Sequence, residues 1–133
     1  MLFYSLFPEE KLCIFSVAGE LSMAEMRLCL QELSTEPDWP GANTVVTDLR
    51  GCYSVDVQFT DEFGRYRMER NAFGSRRIFW LTGSSIVMGK LAMAANDRQD
   101  SSVKPRVFQN KVEMSSCLGP DGAGIMKCLN ELE

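Results

Sequence analysis

The sequence of 133 residues contains no histidine. Histidine is the most frequent general base and metal ligand in proteins, and it activates many nucleophilic serines and cysteines. Its absence argues against the common kinds of hydrolytic and metal-dependent active site. We therefore expect a protein that is not an enzyme, and we predict neither a cofactor nor a metal site.

Positive charge is also scarce. The chain has 14 lysines and arginines against 18 acidic residues, which gives a net charge of −4. Binding to nucleic acid requires a basic surface that displaces counterions from the phosphates. Nucleic acid is therefore not an expected partner.

The cysteines do not form a recognisable framework. There are five, an odd number, and no Cys-x-x-Cys pair occurs, whereas secreted disulfide-bonded domains usually have an even count. The first residues lack the basic region of a signal peptide, and no apolar run is long enough to span a membrane. We expect a soluble, cytoplasmic protein with reduced thiols and no integral membrane segment.

What is present indicates a single α/β domain covering residues 1–133. Apolar residues make up 45% of the chain, which is usual for a globular protein. Two short apolar segments form a hairpin at the start, and from there strands alternate with helical patterns, which predicts mostly parallel pairing. The expected strands are 3–7, 12–17, 44–49, 77–81 and 106–108, and the expected helices follow Ser22, span 60–71 and 85–97, follow Asn110 and span 123–132. This is a layered domain with a mixed sheet of about five strands and four to five helices.

The strand 44–49 draws attention because it ends near Asp48 and is followed by Gly51. In open α/β sheets, ligands and partners bind at the carboxyl ends of the strands. We therefore expect a loop after Gly51, reaching to Thr60, to form the working surface together with the helix that follows it.

The order of elements and several segments resemble the SpoIIAA-like group, the wider family around the STAS domains of anti-sigma-factor antagonists. The strand Val45-Val-Thr-Asp-Leu-Arg-Gly51 carries this resemblance, and so do Arg106-Val-Phe108 and Glu113-Met-Ser-Ser-Cys-Leu-Gly119. It implies a regulatory fold that binds a partner protein. In that family a serine following an aspartate is phosphorylated. An alignment on Asp48 puts Val57 at the serine position, so this control by a partner kinase is not expected.

The residues we single out for binding a protein partner or a small anionic or lipidic ligand belong to two groups. The first follows strand 44–49 and includes two arginines of the next helix. The second is a turn that offers hydroxyls and amide donors at the start of a helix, an arrangement suited to anions. The candidates are Arg50, Tyr53, Asp56, Arg65, Arg67, Gly83, Ser84 and Ser85.

Two other functions remain open at this point. A small enzyme would use Asp48 with Asp56, or Cys52, while a structural homodimer would associate through the aromatic residues of the opening hairpin. Phosphorylation at Ser54 or Thr60, in place of the missing serine, is also left open by the sequence.

Overall fold

A computed structural model describes residues 1–95 and 105–133, with only the backbone described at residue 95. Five strands and five α-helices are found in these ranges, together with two short 3₁₀ helices, Pro8–Glu10 and Gly119–Asp121. The strands are β1 Leu2–Phe7, β2 Leu12–Leu21, β3 Thr44–Val55, β4 Arg77–Thr82 and β5 Arg106–Phe108, and the helices are α1 Met23–Leu33, α2 Val57–Arg70, α3 Ser85–Ala95, α4 Lys111–Leu118 and α5 Gly122–Glu131.

The five strands form one sheet in the order β1-β2-β3-β4-β5. The hairpin strands β1 and β2 are antiparallel, and all the later pairs are parallel. The predicted fold class, a mixed and mostly parallel α/β layer opened by a hairpin, is therefore confirmed.

Helices cover both faces of the sheet. On one face, α1, α2 and α3 pack over a core that includes Phe15, Phe63 and Trp80. On the other face, α4 and α5 pack over a smaller core around Ile14 and Leu81. Parallel strands that are covered on both sides read as continuous apolar runs, and Val45-Val46 is such a pair.

Local signals explain several helix boundaries. The side chain of Ser22 accepts a hydrogen bond from the backbone N–H of Glu25 at 3.1 Å, and Asn110 accepts one from Glu113 at 2.8 Å. Each residue thereby satisfies an amide that has no partner within its own helix. Both caps agree with the sequence prediction. The part of the predicted helix 85–97 beyond residue 95, and the polar segment expected at 97–102, lie outside the described residues.

The predicted loop after Gly51 is wrong. Strand β3 continues through Gly51 to Val55, and it pairs with the end of β2, where Gly19 lies opposite Cys52 and Leu21 opposite Val55. Two register shifts allow this extension. The backbone of Gly19 has a φ of +84°, and a Cβ atom on Gly51 would lie 3.3 Å from the carbonyl oxygen of Val17. Gly19 therefore lies where the strand pairing is irregular, and Gly51 lets the backbones of β3 and β2 approach closely. Neither glycine forms a turn.

Candidate protein-binding surface

The junction between β3 and α2 is tight. The backbone N–H of Asp56 donates to the carbonyl of Leu21 at 2.9 Å, and the carboxylate of Asp56 accepts from the N–H of Gln58 at 3.1 Å. Asp56 is therefore the N-cap of α2, and Val57 is the first helical residue. The sequence analysis began this helix at residue 60, three residues too late, because it counted residues 52–59 as a loop.

Side chains at this junction alternate between the core and the surface. Cys52, Val55 and Phe59 are buried, whereas Tyr53 is 78% exposed and Val57 is 71% exposed. The buried residues hold the backbone in place on both sides of the exposed ones. Tyr53, at the end of the strand, and Val57, at the start of the helix, are thus exposed on backbone that is held in place. Their Cα atoms are at most about 13 Å apart, the length of four extended residues.

Helix α2 carries a further row of exposed side chains. Val57, Asp61, Arg65 and Met68 are all exposed, and their spacing places them on one face of the helix. We call Tyr53 together with these four residues the β3–α2 surface. It combines apolar groups with one acid and one base, and it has a single arginine where the sequence suggested a pair.

Arg67 does not belong to this surface. It is only 7% exposed and lies on the inner side of α2 with Phe63 and Gly64. Burial lowers the pKa of its guanidinium, because removal from water disfavours the charged form. The expectation that Arg65 and Arg67 act together on a partner is therefore corrected, since two residues of separation turn a helical side chain to the opposite side.

Arg50 is held in an ion-pair network beside the opposite helical layer. Its guanidinium donates to both carboxylate oxygens of Asp48, at 2.9 and 2.8 Å, and it contacts the carboxylate of Glu133 at 2.6 Å. Lys111 also donates to Glu133, at 2.7 Å. The hydrogen bonds to Asp48, and secondarily to Glu133, raise the pKa of Arg50 above its usual range. Arg50 thus joins β3 to the end of the chain after α5, with its charge already satisfied.

The turn between β4 and α3 carries the remaining candidates. The hydroxyl of buried Thr82 accepts from the N–H of Ser84 at 3.2 Å, and the hydroxyl of Ser84 accepts from the N–H of Val87 at 3.2 Å. Gly83 and Ser85 are exposed. Ser84 therefore acts as a helix cap, and its side chain already occupies one of the amides that an anion would use.

This turn does not lie next to the start of α2. Thr82 pairs with Leu49, and β3 continues six residues beyond that point, so Val55 lies roughly 15–20 Å further along the strand. The two groups of predicted residues, near Asp56 and near Ser84, consequently do not form one continuous site.

The residues considered for catalysis are separated or already engaged. Asp48 lies within β3 and Asp56 directly follows the end of that strand, eight positions later and roughly 20–25 Å away, so they do not form a carboxylate pair. Cys52, which we expected to be accessible, is 4% exposed, and its thiol donates to the carbonyl of Ser54 at 3.1 Å. Within residues 1–95 and 105–133, no cluster of three or more His, Cys, Asp or Glu side chains is arranged to hold a metal ion.

The two hydroxyls considered for phosphorylation are also in hydrogen bonds. Ser54 is half-buried and donates to the carboxylate of Glu20 at 3.2 Å. Thr60 lies inside α2 and donates to the carbonyl of Asp56 at 3.4 Å. In the part of the chain that the structure describes, no helix is both long and apolar enough to cross a bilayer.

Comparison with known proteins supports the fold. No protein-family model matches the sequence, and no curated protein does. Among solved structures, the chain is similar to the anti-sigma factor antagonist SpoIIAA in its unphosphorylated form, with a TM-score of 0.57 and 10% sequence identity. The match covers 90% of this chain and 99% of that protein. The chain thus has the SpoIIAA-like, STAS-related fold, as its sequence resemblance implied.

Sequence reasoning missed part of the β3–α2 surface. Val57 was considered only as a replacement for a serine, and Met68 was not singled out. The spacing of Val57, Asp61, Arg65 and Met68 is a helical signal that the sequence already contains. It was not recognised because the helix was expected to begin at residue 60.

Proposed function

We propose that this protein is a non-catalytic regulatory domain that captures a protein partner through the β3–α2 surface. One observation carries the proposal, namely that Tyr53 and Val57 are largely exposed although Cys52, Val55 and Phe59, which lie close to them along the chain, are buried. Large side chains at a soluble protein's surface are common singly, but a pair of this kind on fixed elements suits a binding site. Tyrosine is also enriched among the residues that dominate protein interfaces.

The shape of this surface favours a protein over a small ligand. Sites for small anionic or lipidic molecules are concave and enclose most of the ligand. Tyr53 and Val57 are instead largely open to solvent, so a partner surface can cover them. In addition, the carboxylate of Asp56 occupies the start of α2, where its negative charge opposes the approach of an anion.

The fold is consistent with this role. One solved structure of this fold is named as an anti-sigma factor antagonist in an unphosphorylated form. In this chain the corresponding helix begins with Val57, which has no hydroxyl to accept a phosphoryl group. We therefore propose that capture at the β3–α2 surface is not switched by modification at that position.

A capture experiment tests the proposal. The tagged protein is incubated with an extract of the cells that produce it, cross-linked, and the captured proteins are quantified by mass spectrometry. The test variants are Val57→Asp and Tyr53→Ala. The matched control is Val112→Asp on α4, because Val112 is 77% exposed and lies on the other helical layer.

We expect at least one protein that is captured by the unmodified domain and by Val112→Asp and is reduced about tenfold or more with Val57→Asp, as for the loss of an interface anchor. Melting temperatures of all variants should agree within a few degrees, because the substituted residues are exposed. Equal capture by Val57→Asp and the control would show that the partner binds elsewhere. The absence of any specific capture would contradict the proposed function itself.

A further inference from the structure

Strand β1 forms an open edge of the sheet. Among the described residues its only strand neighbour is β2. Met1 and Ala18 exchange two backbone hydrogen bonds, at 2.8 and 2.9 Å, which fixes the alternation along the antiparallel pair. The N–H and C=O groups of Leu2, Tyr4 and Leu6 therefore point away from β2, toward the free edge.

This edge lacks the usual protection against strand pairing. Natural edge strands are commonly blocked by lysine, proline, a bulge or very short length. Strand β1 reads Leu-Phe-Tyr-Ser-Leu-Phe, with no charge and no proline, and it pairs with β2 in continuous register over all six residues. It is thus able to accept a further strand.

A cleft runs between this edge and helix α1. Its volume is about 330 Å³, and its lining includes Leu2 of β1 and Leu28 of α1. Leu28 is 61% exposed, an unusual degree for a leucine on a helix that packs on the sheet. An additional strand beside β1 would place alternate side chains over Leu2 and Leu28.

The rim of the cleft is acidic. Glu25 and Glu32 line it on α1, one turn before and one turn after Leu28. The hydroxyl of Tyr4 donates to the carboxylate of Glu36 at 2.8 Å, and this bond, with burial, raises the pKa of Tyr4 to about 12. The N-terminal ammonium group of Met1 lies 3.6 Å from the carboxylate of Glu25, so of the two lining acids only Glu32 has no cationic partner among the described residues. The nearest base on α1, Arg27, pairs instead with Glu62 of α2 at 2.7 Å.

We infer that the β1 edge binds an extended segment of a partner protein as a sixth strand, with apolar residues over Leu28 and basic residues beside Glu25 and Glu32. A second copy of this chain fits less well. If two α1 helices met antiparallel around Leu28, Glu25 of each copy would face Glu32 of the other, and like charges repel. This surface is separate from the β3–α2 surface and does not depend on the function proposed there.

Selection from a phage library of random nine-residue peptides provides the test. The unmodified protein is the target, and the enriched peptides are then measured against Leu6→Pro and Leu6→Ala. Both variants lose the same side chain, but only proline removes the N–H that points to the free edge. We expect about tenfold weaker binding to Leu6→Pro than to Leu6→Ala, the effect of losing a main-chain hydrogen bond and hindering the approach of a strand.

Charge exchange gives a second readout. We expect enriched peptides with alternating apolar residues and two lysines or arginines about four residues apart, because Glu25 and Glu32 are separated by roughly 10 Å along α1. Their binding should weaken several-fold with Glu32→Lys and stay unchanged with the control Glu69→Lys on α2. Peptides of the same sequence with glutamate in place of these bases should bind Glu32→Lys better than the unmodified protein.

Four results would overturn the inference: no enrichment, equal affinity for Leu6→Pro and Leu6→Ala, enriched peptides without basic residues, or indifference to Glu32→Lys. A concentration-dependent dimer in sedimentation that Leu6→Pro abolishes would also overturn it, in favour of a second copy as the occupant. The capture experiment with Val57→Asp does not depend on any of these outcomes. The proposals for the β3–α2 surface and for the β1 edge are therefore tested independently.

Discussion

The same substitution at two arginines of α2 should have very different effects on the stability of the protein. Arg65 is exposed on the β3–α2 surface, whereas Arg67 is 7% exposed and faces the core beside Phe63. Replacing each in turn by glutamate reverses one charge in both cases. Any difference between Arg65→Glu and Arg67→Glu therefore comes from burial rather than from composition or net charge.

The expected magnitudes differ by several kcal/mol. An exposed substitution such as Arg65→Glu usually changes the free energy of unfolding by less than about 0.5 kcal/mol. Arg67→Glu removes a buried guanidinium and puts a carboxylate in a desolvated place, for which a loss of about 3–5 kcal/mol is typical. In a domain of this size that loss lowers the melting temperature by about 10–20 °C, and it is a large part of the total stability of most domains.

Urea unfolding followed by circular dichroism, together with calorimetry, measures both variants. Arg65→Lys and Arg67→Lys serve as charge-preserving controls, and both should be milder than the glutamate variants. In the capture assay Arg65→Glu should reduce partner binding while the fold stays intact. Equal melting temperatures for the two glutamate variants would refute the burial of Arg67 and with it the orientation of α2.

Two further changes test the start of α2 and the ion-pair network around Glu133. Asp56→Ala removes the cap of α2 and should cost about 1 kcal/mol of stability, measured by urea unfolding; an unchanged midpoint would contradict the helix start at Val57. Hydrogen bonds from Lys111 and then Arg50 lower the pKa of Glu133, so its stabilising contribution is present at neutral pH and is lost as pH falls through that lowered value. Glu133→Gln should therefore be less stable at pH 7 and lose less stability than the unmodified protein on acidification, and parallel pH profiles would count against this network.

Local signals predicted most of the architecture. The hairpin, the serine and asparagine caps, and the alternation of strands and helices were all readable because each depends on a few neighbouring residues. These local signals agree with the observed order of elements, as expected for a natural sequence whose local preferences match its overall fold. The resemblance of 45–51 to a known family added the order of elements, which the solved structure of SpoIIAA confirms at the level of the fold.

The end of β3 was not predictable in the same way. Gly51 reads as a turn signal, yet its role is to let β3 approach Val17, a contact between residues far apart in the sequence. Cys52 and Val55 are both buried by that extension although they are three residues apart, because a register shift between them interrupts the alternation by which a strand is recognised. The burial of Arg67 was missed although it follows Phe63 by four residues and so shares its helical face, because an arginine is rarely expected in a core.

The position of the interface tests the central proposal most directly. A photo-reactive benzoylphenylalanine is placed at residue 53 in one sample and at residue 112 in another, and each is irradiated with the captured partner. The account predicts a covalent adduct from position 53 on β3 and none from position 112 on α4. An adduct from position 112 alone would contradict it and move the partner to the opposite helical layer.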